Sequence, residues 1–350
     1  MQSAPELEPL VDPVRLGAYL GSRLPELGVG DLQVERHVAG HSNETFFVRS
    51  GPHESVLRRP PRGAFLPTAH DVAREFRILS ALEGTGVRAP KPLLFCGDAE
   101  VIGAPFYLME RAPGVVIRDR LPSGLGDHRA RRDIGEELVD ALVELHAVDW
   151  RAAGLEGFGK PSGYLQRQVR RWKGQLALTE PLTRHVPDLH RAGEWLETHL
   201  PQSGDSTIVH GDYKLDNVAF EVRGRPRLSA ILDWEMSTLG DPLADLGWML
   251  SFWREPSDPA EFVMDEQTVS RQPGFPSREE LIDRYAERSG RIVDPNDLAF
   301  YLVLAVWKLA ILLEGSYARH LAGLTDDPFF AYLEEGVPAL ARRAVTLTEP

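Results

Sequence analysis

The segment between residues 207 and 235 constrains the fold more than any other part of the sequence. A short apolar strand runs into His210-Gly211-Asp212, and Asn217 opens a second apolar segment, which passes through a Gly-Arg-Pro turn and returns to Asp233. If the two strands pair across that turn, residues 217 and 233 lie side by side at the open end of a hairpin. We therefore expect Asp212, Asn217 and Asp233 to share one rim of a small sheet.

These three side chains have the chemistry that phosphoryl transfer requires. A carboxylate beside an amide oxygen suits a hard cation such as Mg²⁺, which keeps room for water and phosphate oxygens. A second carboxylate nearby can orient a hydroxyl group and accept its proton. The pattern thus predicts Asn217 and Asp233 as metal ligands and Asp212 as the catalytic base. We interpret His210 as a hydrogen-bonding scaffold beside this loop rather than as a proton carrier.

The length and composition of the chain allow a large core and exclude several functions. The 350 residues, 43% of them hydrophobic, are enough for one large domain or two lobes. A net charge of −13 argues against nucleic-acid binding as the main task, because phosphate backbones attract basic surfaces. Cys96 is the only cysteine, which precludes a disulfide within the chain and agrees with a cytoplasmic location.

The sequence contains no segment that predicts a membrane partner. Its N-terminus is acidic and lacks the basic and apolar regions of a signal peptide. The most apolar stretch, residues 299–313, is shorter than a bilayer span and contains Lys308. We therefore expect a buried core helix in that region.

The sequence pattern predicts that the first third of the chain forms several strands with a single helix between them. Strand-like runs occupy residues 31–59, 93–97 and 105–111, and the segment after the first run has apolar residues at helical spacing, among them Val72, Phe76 and Leu79. We predict a small mixed β-sheet lobe with one helix over residues 1–111 of an α+β chain.

Helical patterns dominate from residue 112 onward. The segment from Arg129 to His146 is amphipathic, and Ser277 with Glu280 predicts a capping box at the start of a late helix. We therefore predict a larger, mainly helical lobe over residues 112–350.

The HGDxxxxN motif at 210–217, followed by a strand that carries ILDWE at 231–235, resembles the aminoglycoside phosphotransferase and choline kinase family. The resemblance covers roughly residues 30–320 and implies the two-lobed protein-kinase-like fold of that family. It also implies ATP and Mg²⁺ as cofactors and a small-molecule hydroxyl as the acceptor.

The resemblance assigns further residues to nucleotide binding. The turn that contains Gly40, Ser42 and Asn43 is similar to the family's loop over the ATP phosphates. The segment with Glu110 and Ala112 looks like the hinge whose backbone meets adenine.

Two positions of the first lobe correspond to a charged pair of the family. Arg58 stands where the family has its phosphate-binding lysine, and Glu75 stands where a helix glutamate pairs with that lysine. Arginine keeps the charge but is bulkier and differs in geometry, so this position departs from the family pattern. The resemblance also implies that Asp245 braces the catalytic loop.

The sequence also resembles the kinase-like parts that are fused to some acyl-CoA dehydrogenases. It shares with them the VLRR–P, HDVAREF, LHAVDW and KLAILLEGSYAR segments, and this resemblance implies a 4-hydroxyacyl-CoA as the acceptor. The basic cluster of Arg167, Arg170 and Arg171 is either a solvated helix face or a contact for CoA phosphates.

Three other functions stay open at this point. A choline or antibiotic kinase needs acidic side chains for ammonium groups, and residues 255–266 contain several. The change of lysine to Arg58 is compatible with an inactive nucleotide-binding regulator, although Asp212, Asn217 and Asp233 argue against it. A metal-dependent hydrolase would need several histidine ligands, whereas the histidines here are scattered. The sequence does not identify an oligomeric state.

Overall fold

The computed structural model describes residues 10–28, 32–37, 43–61, 71–258, 269–325 and 327–349. The chain divides into two compact units, Met1–Pro113 and Gly114–Pro350. The first unit is built on a sheet and the second is mainly helical, so the predicted α+β class is confirmed.

The first unit contains one antiparallel sheet with a helix inserted between its third and fourth strands. Its elements are α1 (Pro13–Leu20), α2 (Pro25–Gly28), β1 (Gln33–His37), β2 (Glu44–Ser50), β3 (His53–Arg59), α3 (Val72–Leu82), β4 (Pro92–Cys96) and β5 (Phe106–Glu110). The strand order is β1-β2-β3-β5-β4, and every pairing is antiparallel. Leu57 and Leu108 are fully buried where they pair across β3 and β5.

Local sequence explains where α3 begins and which face it buries. The Asp71 carboxylate caps the helix by accepting a hydrogen bond of 3.0 Å from Arg74 N. Val72, Leu79 and Leu82 lie on the buried face at the spacing that the sequence predicts.

The second unit holds seven helices among its described residues and two small sheets. The helices are α4 (His128–His146), α5 (Tyr164–Thr179), α6 (Pro187–Thr198), α7 (Leu243–Phe252), α8 (Arg278–Ser289), α9 (Pro295–Leu321) and α10 (Leu333–Thr346). The strands are β6 (Val115–Val116), β7 (Thr207–Val209), β8 (Val218–Glu221), β9 (Arg227–Ile231) and β10 (Thr238–Gly240), in the orders β6-β8-β9 and β10-β7. Ser277 and Glu280 form the predicted capping box of α8.

Helix α9 is the central helix of this unit, and it is longer than the sequence analysis predicts. It has 27 residues, whereas the apolar pattern marks only residues 299–313. By length and composition it could cross a membrane, and 61% of its most apolar window is buried inside the protein. Trp307 is fully buried, and its indole N–H donates to Leu189 O at 2.7 Å. The predicted core helix is therefore extended by a turn or more at each end.

The hairpin of β8 and β9 corrects the predicted register. The predicted Gly-Arg-Pro turn is centred on residue 225, which would place Asn217 opposite Asp233, but the pairing of residues 221 and 227 centres the turn on Gly224. Gly224 has φ of +81°, which favours glycine in this turn. A register shift after residue 219 then sets Asn217 opposite Leu232, whose N–H donates to Asn217 O at 2.8 Å. Asn217 also ends a short 3₁₀ helix instead of opening the strand.

Candidate active site

A buried carboxylate holds the loop that follows β7. Asp245, near the start of α7, accepts hydrogen bonds from His210 N at 2.6 Å and from Gly211 N at 2.8 Å, one on each oxygen. Gly211 has φ of +87°, and a Cβ there would lie 2.7 Å from Met236 O. Burial by itself would raise the pKa of Asp245, but hydrogen bonds from His146 and the loop backbone outweigh it and lower that pKa. The loop therefore has one well-defined conformation.

Two histidine rings extend this framework. His146 Nε2 lies 3.3 Å from Asp245 Oδ2, and His146 Nδ1 lies 2.8 Å from the Tyr285 hydroxyl. His210 Nδ1 accepts from Asp212 N at 3.2 Å, so His210 Nε2 carries the proton that is donated to Leu232 O at 2.8 Å. Both ring nitrogens of His210 are engaged, which supports its interpretation as a scaffold.

The carboxylate of Asp212 is held from two sides. Trp248 Nε1 donates to Oδ1 at 2.8 Å, and Asn217 Nδ2 donates to Oδ2 at 2.6 Å. The side chain remains 23% exposed, so solvent or a substrate can reach it. Burial raises the pKa of Asp212, against the opposing effect of the Lys214 and Lys308 charges. An oriented, accessible carboxylate with a raised pKa can accept a proton from a hydroxyl group.

Asn217 and Asp233 lie beside this carboxylate. The amide nitrogen of Asn217 also donates to Asp212 O at 2.8 Å, whereas its Oδ1 accepts no hydrogen bond from any residue that the structure describes. Asp233 follows Leu232, the backbone partner of Asn217, and its charge contributes to the raised pKa of Asp212. Asn217 Oδ1 is thus available beside the Asp212 carboxylate, and Asp233 lies near enough for its charge to act on Asp212.

Asp233 has an unusual backbone conformation. Its φ is +62°, which makes it the only non-glycine residue with positive φ in the described part of the chain. Aspartate tolerates this region better than most residues, but the conformation still carries strain. Such strain is concentrated at functional sites, where the surrounding structure holds a side chain in a required direction.

Two lysines at this rim were not identified from the sequence as site residues. Lys214 Nζ lies 3.1 Å from Asp216 Oδ2 and 4.0 Å from Asp212 Oδ2. Burial lowers the pKa of Lys214, but the neighbouring carboxylates outweigh that effect and raise it. Lys214 could have been identified from the sequence as a basic residue two positions after Asp212.

Lys308 lies on α9 and contacts the loop that follows β7. Its ammonium donates to Gly211 O at 2.6 Å and lies 3.9 Å from the centre of the Trp248 ring. Burial lowers the pKa of Lys308 to about 8. The position of Lys308 inside an apolar stretch argues against a membrane span, and a cation there also indicates a buried polar contact.

Lys308 gives the stability of the protein a pH dependence that a variant can isolate. Because its pKa falls from 10.5 to about 8 on folding, the unfolded chain binds more protons between these values. The stabilising contribution from deprotonation of Lys308 is complete above pH 10.5 and is lost as the pH falls through 8. We expect the wild type to gain stability relative to Lys308→Met from about pH 7 to about pH 10 in urea titrations.

The control for this measurement is Lys173→Met, which removes a lysine that is 40% exposed on α5. The stability difference from the wild type should change more with pH for Lys308→Met than for this control. If the two differences change alike with pH, Lys308 does not titrate as its burial predicts.

The first unit contains a second cluster of polar side chains. Arg58 on β3 and Glu75 on α3 lie 3.4 Å apart, with side chains only 8% and 1% exposed. The Tyr107 hydroxyl donates to Glu75 Oε2 at 2.9 Å, and Asn43 Nδ2 donates to Glu75 Oε1. Because both side chains are buried, Arg58 and Glu75 do not form a solvated surface ion pair, which would contribute little to stability.

The structure describes the other predicted nucleotide residues only in part. Gly40 and Ser42 lie outside the described residues. Glu110 ends β5, where its N–H donates to Lys91 O at 2.8 Å, and Ala112 follows in the connection after that strand. Their predicted contact with adenine stays a prediction.

The basic cluster on α5 is partly engaged by contacts within the chain. Arg167 is bound to the carbonyl oxygens of Lys160 and Ser162, and Arg171 lies 5.2 Å from the Trp172 ring centre. Arg170 is exposed. The helix-face interpretation is therefore favoured for Arg167.

The acidic segment after α7 is partly neutralised. Glu255 and Asp258 both pair with Arg278. Glu261, Asp265 and Glu266 lie outside the described residues. The two acidic side chains that can be located are therefore already occupied by a cation of the chain itself.

Comparisons with known proteins place this geometry in a class. Residues 33–281 match the model of the phosphotransferase enzyme family. Acyl-CoA dehydrogenase family member 11 of Rattus norvegicus is 36% identical over 348 residues, which cover 96% of this chain and 44% of the rat protein. Viomycin phosphotransferase of Streptomyces vinaceus is 30% identical over 65% of this chain and 75% of that enzyme. A crystal structure of a candidate aminoglycoside phosphotransferase from Ralstonia eutropha has a TM-score of 0.82 and 31% identity, covering 97% of this chain and 98% of that chain.

The fold and the site place the chain in the class of kinase-like phosphotransferases. The chain belongs to the phosphotransferase enzyme family, and the resemblance to aminoglycoside phosphotransferases and choline kinases is confirmed. The chain spans less than half the length of the acyl-CoA dehydrogenase relatives, 28% of the family member 10 protein and 44% of the family member 11 protein.

Proposed function

We propose that this chain transfers the γ-phosphoryl group of ATP, in the presence of Mg²⁺, to the hydroxyl of a small acid derivative linked to CoA. The observation that carries the proposal is the rim where Asp212 is oriented by Trp248 and Asn217 beside Asp233. In the reaction, Asp212 accepts the hydroxyl proton while the hydroxyl oxygen forms a bond to the γ-phosphorus. The bond between that phosphorus and the bridging oxygen breaks, and ADP leaves.

The side chains at this rim fit a magnesium ion. Asn217 Oδ1 has no hydrogen-bond partner among the residues that the structure describes, and Asp233 adds a carboxylate beside it. Oxygen ligands of this kind are the ones that Mg²⁺ prefers. When bound, the ion neutralises phosphate charge during transfer.

Several residues of the chain have distinct roles in this proposal. Trp248 and Asn217 fix the direction of the Asp212 oxygens, and Lys308 fixes the loop through Gly211 O. Lys214 supplies a positive charge that a phosphate oxygen can approach once the nucleotide is present. Orientation before the reaction matters because it removes reorganisation from the barrier.

We propose residues 1–111 as the nucleotide-binding lobe and residues 112–350 as the catalytic and substrate-binding lobe. Arg58, held by Glu75, would bind a nucleotide phosphate through two donors. Asn43, with Gly40 and Ser42, would contribute to the phosphate loop, and the backbone at Glu110 and Ala112 would meet adenine. We also propose a cytoplasmic location, which agrees with the single cysteine.

Replacing Arg58 by alanine is expected to weaken ATP binding by about tenfold or more, because a charge-assisted phosphate contact is lost. The variant also leaves Glu75 buried without its cation, so circular dichroism must first show that it folds. Isothermal titration with a non-hydrolysable ATP analogue measures the affinity.

The control for Arg58 is Arg58→Lys, which restores the charge in the geometry that the family resemblance implies. We expect this variant to bind the analogue within about threefold of the wild type. An unchanged affinity in folded Arg58→Ala would remove this arginine from the nucleotide site.

The acceptor is proposed from the relatives. The proteins that match over 88% and 96% of this chain are named as acyl-CoA dehydrogenase family members, which supports a 4-hydroxyacyl-CoA as substrate. ADP release should be measured with a 4-hydroxyacyl-CoA, the free hydroxy acid, aminoglycosides, viomycin and choline. Turnover that is fastest with the CoA thioester supports the proposal, and turnover that is fastest with an amine substrate contradicts it.

An antibiotic kinase is the second candidate. It is favoured by the 30% identity to viomycin phosphotransferase, but Glu255 and Asp258 are paired with Arg278 rather than available to ammonium groups. ATP binding without ADP release for any acceptor would indicate the regulator instead. Hydrolysis that needs no ATP would indicate the hydrolase.

A further inference from the structure

A cluster of two histidines and one glutamate lies at the corner between α5 and α6. The donor atoms of Glu180, His185 and His190 all lie within 4.8 Å of one another. His190 Nε2 is 3.1 Å from Glu180 Oε1, and His185 Nδ1 contacts the same oxygen. The two imidazole rings are 4.9 Å apart at an angle of 31°. Two ring nitrogens and one carboxylate therefore converge on one point.

The backbone on both sides of the cluster is fixed to the core. Val186 and Leu189 are buried between the two histidines in the sequence. Arg184 Nη2 donates to Leu333 O at 2.8 Å and lies 3.3 Å from Glu314 Oε2, which ties the corner to α9 and α10. The three side chains thus project from a rigid frame, so a ligand that binds them orders little additional chain.

The donor set selects a particular class of ion. Imidazole nitrogens with one carboxylate suit zinc and similar transition-metal ions, whereas Mg²⁺ prefers oxygen ligands alone. Zinc bonds of about 2.0–2.2 Å place neighbouring tetrahedral donors roughly 3.4 Å apart. The contact of 3.1 Å is close to that spacing, and His185, 64% exposed, can adjust at small cost.

We propose that Glu180, His185 and His190 form a site for one Zn²⁺-class ion that joins the end of α5 to the start of α6. The exposed side of the cluster leaves a fourth position for water, which makes the site open rather than closed. Without an ion, the two imidazoles share the Glu180 carboxylate through hydrogen bonds. Binding requires a lone pair on each ligating ring nitrogen, so a proton there must move to the other ring nitrogen or, from an imidazolium, be released, and affinity should fall at low pH.

This site is independent of the proposed kinase function and of its magnesium ion. Its donors come from residues 180–190, and none of them belongs to the rim around Asp212. The ion would stabilise the folded chain because it binds a geometry that the unfolded chain lacks. The test can therefore read metal affinity and stability without any measurement of phosphoryl transfer.

The full chain should be titrated with Zn²⁺ against a chromogenic zinc indicator, in a large excess of Mg²⁺ that occupies oxygen-ligand sites. We expect one ion per chain with a dissociation constant of about 10 µM or tighter, which corresponds to roughly 7 kcal/mol. His190→Ala and His185→Ala should each weaken binding by at least about tenfold. His53→Ala, which removes an exposed histidine of the first unit, is the matched control and should bind as the wild type does.

Thermal unfolding gives a second readout that does not depend on the indicator. Zn²⁺ at about 100 times the dissociation constant should raise the Tm of the wild type and of His53→Ala by several degrees, and that of His190→Ala much less. His190→Gln keeps a polar side chain without a strong metal ligand and serves if the alanine variant does not fold. Equal Zn²⁺ affinity in wild type and folded His190 variants, or displacement of Zn²⁺ by Mg²⁺, would overturn the proposal.

Discussion

Asp212→Asn is expected to reduce phosphoryl transfer by about 10²–10⁴-fold, which is the contribution of a general base, while nucleotide affinity changes little. The substitution is isosteric and keeps an oxygen that can accept from Trp248 Nε1, but it removes the group that accepts the hydroxyl proton. Rates should be measured as ADP release under saturating substrates, and affinity by titration with an ATP analogue. The expected pattern is a loss of kcat without a matching loss of binding.

A structural control for this variant comes from the same region of the chain. Asp205 is exposed just before β7 and has no role in the proposed site, so Asp205→Asn should keep the wild-type rate. In Asp212→Asn the new amide faces Asn217 Nδ2, so Asn217 must turn its oxygen toward residue 212. A measurement of Mg²⁺ affinity shows whether that turn disturbs the metal ligand. Residual turnover above about a tenth of the wild-type rate would exclude Asp212 as the base.

Asp233→Asn is expected to lower turnover by at least about 100-fold and to raise the Mg²⁺ concentration needed for half-maximal rate. Asparagine tolerates the positive φ of +62° at this position, so the variant removes the charge without forcing the backbone to change. Alanine would mix the loss of a ligand with backbone strain. The rate should be measured as a function of Mg²⁺, together with the affinity of the nucleotide in its presence and absence.

The same substitution has a second expected effect. In the metal-free protein the charge of Asp233 helps to raise the pKa of Asp212, so its removal should lower that pKa in an NMR titration without Mg²⁺. An unchanged Mg²⁺ requirement together with an unchanged Asp212 pKa would place Asp233 outside the site. Together the two variants compare proton transfer with metal binding, because added Mg²⁺ should restore more of the rate in Asp233→Asn than in Asp212→Asn.

The secondary structure near the site follows from short-range signals in the sequence. Helix α3 begins where Asp71 caps it and buries the apolar residues that recur at helical spacing, and α8 begins at the Ser277–Glu280 capping box. These features depend on residues within one or two turns, so they can be predicted without the tertiary fold. The kinase-like class could also be predicted, because the HGDxxxxN motif and ILDWE lie within one short segment.

Contacts between residues that are far apart in the sequence could not be predicted from such short-range signals. Lys308 lies 97 positions from Gly211, and His146 lies 99 positions from Asp245, yet both pairs are in direct contact. No periodicity links such residues, because their distance is set by how whole helices pack. The cluster of Glu180, His185 and His190 is local in sequence, but its convergence depends on the angle between α5 and α6.

The sequence by itself determined the family, several elements such as α3 and the start of α8, and the segment that carries Asp212, Asn217 and Asp233. The tertiary structure alone decided the hairpin register, the direction of each Asp212 oxygen and the buried support from Trp248 and Lys308. The physical reason is the distance along the chain over which each kind of interaction acts. Hydrogen-bonded turns, caps and apolar periodicity act over a few residues, whereas burial and side-chain orientation at the rim result from packing elements that are remote in the chain.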